Sequence, residues 1–157
     1  MSPAETRFSY VVDTSVVVKW FLTREEADLT KARQLRDAYL QRKCALRAPD
    51  LLFLEVGNVL TAGRKLTPSD ALESLQYLRG LDLKIEGFRW ATFAKAVEIA
   101  SECGITVYDS YFLALALESS SILITADEVF LKKARAYTSW ILSLRRLRLP
   151  AWSQQRL

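Results

Sequence analysis

The chain has 157 residues, half of them apolar and a quarter charged, which is the size and balance of one ordinary folded domain. It contains no histidine, and this absence excludes a histidine general base, a Ser-His-Asp triad and a histidine-ligated zinc site. Because histidine is absent, any catalysis must use carboxylates, hydroxyls, thiols, amines or metal ions. The formal net charge of +4 permits a polyanionic partner without requiring one.

Short β-type segments alternate with helical segments along the whole chain. The pattern predicts strands at residues 9–12, 44–48, 81–86, 121–125 and 140–144. It predicts helices at residues 14–22, 25–42, 51–64, 68–79, 90–103, 109–118 and 128–136. Because strands and helices alternate with short connections, we expect one domain over residues 1–157 in which helices cover both faces of a parallel sheet.

Capping signals predict several helix ends. Asp50 is placed to cap the helix at 51–64, and Thr67 with Pro68 behind it has the signature of a helix start. Gly80 is expected to stop the second of these helices, and Gly104 is expected to end the helix at 90–103.

Apolar runs in the sequence are far shorter than the roughly 20 residues that cross a bilayer, so we expect no membrane span. The N-terminal residues lack the basic and apolar segments of a secretory signal, which predicts a cytoplasmic protein. Cys44 and Cys103 lie far apart in sequence and are expected to be two buried, reduced thiols.

Three aspartates stand next to predicted strands and helices. Asp13 closes the first strand, Asp127 follows the fourth, and Asp109 begins the helix that leads into the fourth strand. In parallel α/β folds ligands gather at the carboxyl ends of the strands, which makes these residues site candidates. An aspartate before a helix is also a common N-cap, and for each residue taken singly capping is the stronger interpretation.

Glu55 lies inside the helix at 51–64, where it cannot be a cap. Its helix face is apolar apart from Asn58, so the carboxylate is aimed at packed surface. A charge there is costly unless it meets a cation or metal. The alternative is that Glu55 sits on a solvated edge of the helix or pairs with an arginine.

Several carboxylates without histidine form an all-oxygen site, which suits Mg²⁺ or Mn²⁺ rather than zinc or copper. Clustered carboxylates repel one another and stay ionised together only if cations neutralise them. Two such ions about 3.5–4 Å apart can activate water for phosphodiester hydrolysis, and this is the reaction that the residues suggest.

Four segments together resemble the PIN-domain family, and within it the VapC-type ribonuclease toxins. They are Val-Val-Asp13-Thr-Ser-Val, Leu-Glu55-Val-Gly-Asn-Val-Leu, Val-Tyr-Asp109-Ser-Tyr-Phe-Leu-Ala-Leu-Ala and Leu-Ile-Thr125-Ala-Asp127. Each segment alone is a weak signal, whereas four in the family's order and at compatible spacing are strong.

The resemblance implies a three-layer α/β/α fold and Mg²⁺- or Mn²⁺-dependent endoribonuclease activity toward structured RNA such as tRNA or rRNA. It also implies a homodimer and a VapB-like antitoxin that blocks the site. By position, Asp13, Glu55 and Asp109 look like the main metal-binding and catalytic acids, and Asp127 looks like the fourth. Thr125 is placed to share the polar role of Asp127.

Other patterns in the sequence are less specific. Thr14 and Ser15 could hydrogen-bond a carboxylate or phosphate, and basic runs near residues 31–43, 132–135 and 145–148 could follow an RNA backbone or be solvated faces. The apolar residues of 147–152 could pack on the body or on a second subunit.

Alternative functions remain open at this level. A haloacid-dehalogenase-type phosphatase expects an aspartate where Ser15 stands, and a receiver module expects one at the end of the third strand, so both fit poorly. A catalytically silent PIN fold that serves as a binding module, and a nuclease that matures RNA, are the remaining alternatives.

Overall fold

The structure is a computed structural model that describes residues 8–24 and 27–149. A five-stranded, fully parallel sheet forms its centre. The strands are β1 (Phe8–Val12), β2 (Cys44–Pro49), β3 (Lys84–Glu86), β4 (Ile122–Thr125) and β5 (Ile141–Ser143). All five predicted strands are therefore confirmed, with ends that shift by up to three residues.

Consecutive residues of the central strand are buried, which shows that helices cover both faces of the sheet. Tyr10, Val11 and Val12 are all buried although neighbouring side chains point to opposite faces. In β4, Leu123 and Ile124 are buried in the same way. The fold is thus the expected three-layer α/β/α arrangement.

Seven α-helices surround the sheet within the part of the chain that the structure describes. They are α1 (Thr14–Val17), α2 (Leu29–Leu40), α3 (Leu51–Asn58), α4 (Pro68–Gly80), α5 (Trp90–Cys103), α6 (Val107–Glu118) and α7 (Glu128–Ala134). A 3₁₀ turn over Val18–Phe21 prolongs α1, and a π turn over Val59–Gly63 prolongs α3. The predicted helices at 14–22 and 51–64 are therefore each built from two helical types.

The strand order is β3-β2-β1-β4-β5, which places the first strand in the middle. From β1 the chain moves outward through β2 to β3 and then returns across the sheet to β4. Because such crossovers are right-handed, α2–α4 and α5–α7 cover opposite faces. The order reverses between β1 and β4, and the crevice beyond the carboxyl ends of these strands is where ligands bind in open α/β sheets.

The prediction that Asp50 caps the third helix is wrong. Its backbone is already helical, at φ −59° and ψ −23°, and its side chain makes no capping hydrogen bond. The backbone N–H of Asp50 donates instead to the carbonyl of Glu86 at 2.9 Å. This bond ties the end of β2 to β3 and holds Asp50 in a helical conformation that a cap residue does not adopt.

Helix ends follow the predicted glycine signals in one case and not in the other. Gly104 ends α5 with φ 62°, as the sequence predicts. Gly80 lies inside the last turn of α4, and the left-handed residue beyond that helix is Asp82, with φ 56°. An aspartate tolerates this conformation, so the glycine is not needed there.

Two predicted segments extend beyond the described residues. The second helix begins at Leu29, and residues 25 and 26 of its predicted range lie outside the described residues. Leu147 is buried and Leu149 packs against the core, which shows that this part of the terminal segment packs on the body, whereas residues 150–152 lie outside the described part.

The two cysteines are free thiols, with Cys44 buried and Cys103 half-buried. Within residues 8–24 and 27–149, every helix is too short or too polar to cross a lipid bilayer.

Candidate active site

The carboxyl ends of β1 and β4 meet at the crevice of the sheet. The backbone N–H of Asp13, directly after β1, donates to the carbonyl of Ile124 at 3.0 Å and so continues the pairing of the two strands. This pairing brings Asp13 beside Thr125, the last residue of β4, although the two are 112 positions apart in sequence.

Asp13 is a buried carboxylate held by two hydroxyl groups. Ser15 Oγ donates to its Oδ2 at 2.5 Å, and Thr125 Oγ1 donates to the same oxygen at 2.9 Å. The side chain makes no full capping hydrogen bond to α1, although the backbone N–H of Ser15 lies near enough to lower its pKa, so capping is at most a minor role of this carboxylate. Burial raises the pKa of Asp13 to about 6, the two hydroxyls oppose that rise, and the charge of Asp109 adds to it.

Glu55 reaches the same region from α3. Thr14 Oγ1 donates to its Oε2 at 2.5 Å, and the residue is half-buried. No ion pair to an arginine or lysine involves Glu55 in the described part of the chain, so the paired-arginine alternative has no support. Burial raises the pKa of Glu55, and the charges of Asp13 and Asp109 raise it further, against the hydrogen bond from Thr14.

Asp109 is the third residue of α6, and the cap of that helix is Thr106. The backbone N–H of Asp109 donates to Thr106 Oγ1 at 3.1 Å. The carboxylate of Asp109 is therefore not the cap that the sequence allowed it to be. Burial raises the pKa of Asp109, the charge of Asp127 raises it further, and Thr106 lowers it.

Asp127 does cap a helix. Its Oδ1 accepts from the backbone N–H groups of Val129 and Phe130, each at 2.9 Å, at the start of α7. Its own N–H donates to Thr125 Oγ1 at 3.0 Å, and that hydroxyl in turn donates to Asp13. The Thr125 hydroxyl therefore links the backbone of Asp127 to the buried carboxylate of Asp13.

The four acids form one electrostatic group, in which the charge of each influences at least one other. Asp13 and Asp109 interact with each other and with Glu55, and Asp127 interacts with Asp109. Carboxylates that raise one another's pKa favour protonation or cation binding. The arrangement predicted for strand ends and one helix interior is thus consistent with a site in which carboxylates share a cation.

The acids supply oxygen ligands that suit a metal ion, but they do not converge into a complete ligand set in the described residues. Among residues 8–24 and 27–149, no three Asp, Glu, Cys or His side chains converge as a ready-made metal-ligand set. The donor chemistry does fit Mg²⁺ or Mn²⁺, since these ions prefer oxygen and Mg²⁺ is commonly held by one or two carboxylates with water completing its shell.

Two open recesses flank the acids. One is lined by Thr14, Leu54, Glu55, Asn58 and Tyr108, among others. The other is lined by residues that include Thr106, Asp109, Asp127 and Lys133. The sequence assigns no individual role to Tyr108 or Lys133. Tyr108 adjoins Asp109 in sequence, whereas only the packing of α7 brings Lys133 to the recess of Asp109 and Asp127.

A family model described as PIN domain matches residues 10–136. The chain belongs to the PIN domain family. The match covers all four acids, and it confirms the resemblance that the four sequence segments indicated.

Several solved structures share the fold. PAE2754 from Pyrobaculum aerophilum is 21% identical with a TM-score of 0.62, and the match covers 87% of this chain and 90% of that one. A toxin-antitoxin complex from Klebsiella pneumoniae is 17% identical with a TM-score of 0.56, covering 86% and 97%.

A third structural neighbour is the VapC20 toxin of Mycobacterium tuberculosis. It is 13% identical with a TM-score of 0.62, and the match covers 78% of this chain and 93% of that one. At these identities the likeness establishes the fold alone. A search of curated proteins gave no match.

Proposed function

We propose that this PIN-domain protein is a divalent-metal-dependent endoribonuclease of the VapC toxin kind. The observation that carries the proposal is the coupled group of buried and half-buried carboxylates, Asp13, Glu55 and Asp109, at the crevice where the strand order reverses. Such a group has no structural benefit, because burying like charges together destabilises a fold.

Mg²⁺ or Mn²⁺ would be held by Asp13, Glu55 and Asp109, with Asp127 as the fourth acid. When bound, the ion supplies charge stabilisation at the phosphate and an activated water for hydrolysis. The fit rests on the all-oxygen donor set. The pKa values of Asp13, Glu55 and Asp109 are raised without a cation, and a bound cation would lower them and so favour the ionised carboxylates.

The protein's own hydroxyl groups orient these acids. Ser15 and Thr125 fix one oxygen of Asp13, and Thr14 fixes one oxygen of Glu55. Because all three hydroxyls donate, they favour the ionised carboxylates that a cation requires. Pre-orientation of this kind reduces the reorganisation needed when substrate and ion bind.

Lys133 offers a positive group at the recess that carries Asp109 and Asp127. Its Nζ donates to the carbonyl of Gly104 at 3.0 Å, which holds the amine near the rim. An RNA phosphate that approaches two carboxylates needs a nearby cation, and this amine is placed to provide one.

The toxin assignment is a proposal supported by fold and by the nature of the neighbours. The Klebsiella structure is described as a toxin-antitoxin complex, and the Mycobacterium protein as a sarcin-ricin loop cleaving toxin. By analogy we propose an RNA substrate, a VapB-like antitoxin that blocks the acids, and a homodimer. Growth arrest on expression, relieved by the product of an adjacent gene, tests the partner.

The activity is tested with a tRNA and rRNA pool incubated with Mg²⁺ or Mn²⁺, with and without EDTA. Asp13→Asn, Glu55→Gln and Asp109→Asn are each expected to lower the cleavage rate by about 100-fold or more, since loss of a ligand should exceed the 10–100-fold typical of its supporting groups. Glu73→Gln, at an exposed acid of α4, is the matched control and should leave the rate unchanged.

Two results contradict the proposal. Cleavage that survives EDTA and all three substitutions identifies a contaminating nuclease. Absence of cleavage across the pool, with either ion, supports the silent binding module instead.

A further inference from the structure

An aromatic recess lies directly beside the acids, and the proposed chemistry does not use it. It has a volume of about 490 Å³ and is lined chiefly by Leu54, Phe88, Phe93, Tyr108 and Tyr111. This volume is within the range of about 300–1,000 Å³ that is typical of small-molecule sites. The lining comes from α3, the loop before α5, and α5 and α6 themselves.

Large apolar side chains are exposed at this recess to an unusual degree. Leu54 is 74% exposed, Tyr108 is 63% exposed and Phe88 is 60% exposed. Single exposed apolar residues are common, but several that share one concave surface indicate a binding site.

Two neighbouring rings hold the ring of Phe88 in place. It lies nearly parallel to the ring of Tyr111, at 6.1 Å between centroids and 16° between planes, and it also contacts Phe93 at 5.6 Å. The hydroxyl of Tyr111 accepts from the backbone N–H of Arg89 at 3.0 Å, which fixes the loop that carries Phe88. Because Phe88 is still 60% exposed, part of this positioned ring remains accessible to a ligand.

The aromatic recess is continuous with the recess that contains Glu55. Leu51, Leu54 and Tyr108 line both of them. Leu54 precedes Glu55 in α3, and Tyr108 precedes Asp109 in α6. A nucleotide chain with a phosphate at the acids would therefore have an adjoining base within reach of the aromatic side chains.

We propose that the aromatic recess is a subsite for one unpaired nucleobase next to the cleaved phosphate. The inference rests on the proposed nuclease function and adds a substrate class to it, namely RNA with an unstacked base at the cut. An open aromatic face binds bases by stacking, and a base inside a duplex cannot offer its own face.

The test uses an RNA hairpin with the fluorescent base 2-aminopurine either in the loop or in the stem. Binding is recorded in EDTA with the otherwise unaltered protein, and again with Mg²⁺ in proteins that also carry Asp13→Asn, so that the RNA stays intact. Stacking of the loop base is expected to quench its fluorescence, and the stem base is expected to show no such change.

Substitutions at Phe88 separate stacking from packing. Phe88→Leu keeps an apolar side chain but removes the ring, and it should weaken loop binding by on the order of tenfold. Phe88→Tyr keeps the ring and should bind like the wild type. Trp140→Leu is the matched control, because Trp140 is an exposed aromatic residue that lies outside the recess lining.

Equal loss in Phe88→Leu and Trp140→Leu, no loss in either, or no binding of the loop probe in both conditions overturns the subsite. A change of oligomeric mass or of antitoxin binding in Phe88→Leu, with RNA binding unaltered, overturns it in favour of a protein interface. Phe88-dependent quenching without any RNA cleavage by the wild type supports the subsite while the nuclease proposal fails.

Discussion

Asp13 is only 4% exposed, and the fold buries its charge although no cation of the protein lies in a salt bridge with it in the described part of the chain. Two hydroxyl groups compensate in part through hydrogen bonds to one oxygen. The rise of its pKa from 3.8 to about 6 shows that this compensation is incomplete. Burial of this carboxylate therefore lowers the stability of the fold wherever the group is ionised.

The first residue-scale prediction concerns pH and metal-free stability. Because the folded state binds the Asp13 proton more tightly than the unfolded state, stability from this group is full below pH 4 and is lost as the pH rises toward 6. At pH 7 the loss is on the order of 3 kcal/mol. In EDTA, Asp13→Asn should therefore become more stable than wild type as the pH rises from 4 to 7, by up to about that amount.

Urea unfolding of both proteins at several pH values measures this difference. A stability gap that stays constant from pH 4 to pH 7 contradicts the assigned shift. Added Mg²⁺ should stabilise the wild type and leave Asp13→Asn nearly unaffected, since only the wild type keeps the full set of acids.

Different residue types set the ends of the helices next to the acids. Thr106 caps α6, so the Asp109 carboxylate is not needed for capping. In Asp127, by contrast, one carboxylate oxygen accepts the capping hydrogen bonds of α7. Gly104 ends α5 with a left-handed backbone, and its carbonyl accepts a hydrogen bond from the Lys133 amine. The α5–α6 connection thus shapes the rim of the recess as well as the fold.

The element-scale prediction contrasts two glycines. Gly104→Ala places a side chain in a left-handed conformation and should lower the free energy of unfolding by about 1 kcal/mol. Gly80→Ala adds a methyl group inside α4 where no atom lies within 4 Å, and it should raise stability by roughly 0.5–1 kcal/mol. Chemical denaturation of the two variants gives opposite signs, and equal signs would contradict the assigned conformations.

At the scale of the whole molecule, a chain of net charge +4 carries a local group of acids at its crevice. The positive excess attracts a polyanion, while the acids repel phosphate unless a cation lies between them. RNA binding should therefore depend on both salt and divalent ions.

The whole-molecule prediction concerns the contribution of one lysine, Lys133, to the salt dependence of RNA binding. Lys133→Ala, which removes the amine at the rim, should weaken RNA binding and reduce the slope of log affinity against log salt concentration by about 1. Lys132→Ala, also exposed on α7, is the control and should change the slope less. Filter binding across a salt series measures both, and equal slopes for the two variants would exclude a specific phosphate contact by Lys133.

The sequence by itself determined the types of element, their order and the parallel three-layer architecture, because these follow from local periodicity and from short connections between strands and helices. It also placed four acids near the strand ends. It could not separate capping from site roles, and the structure shows capping for Asp127 but not for Asp13 or Asp109.

Only the tertiary structure decided which side chains meet. The hydrogen bond between Thr125 and Asp13 joins positions 112 apart, and the aromatic recess joins α3, a loop and α6. Such contacts depend on the strand order β3-β2-β1-β4-β5 and on long-range packing, whereas the periodicity of a segment reports only its own solvent exposure.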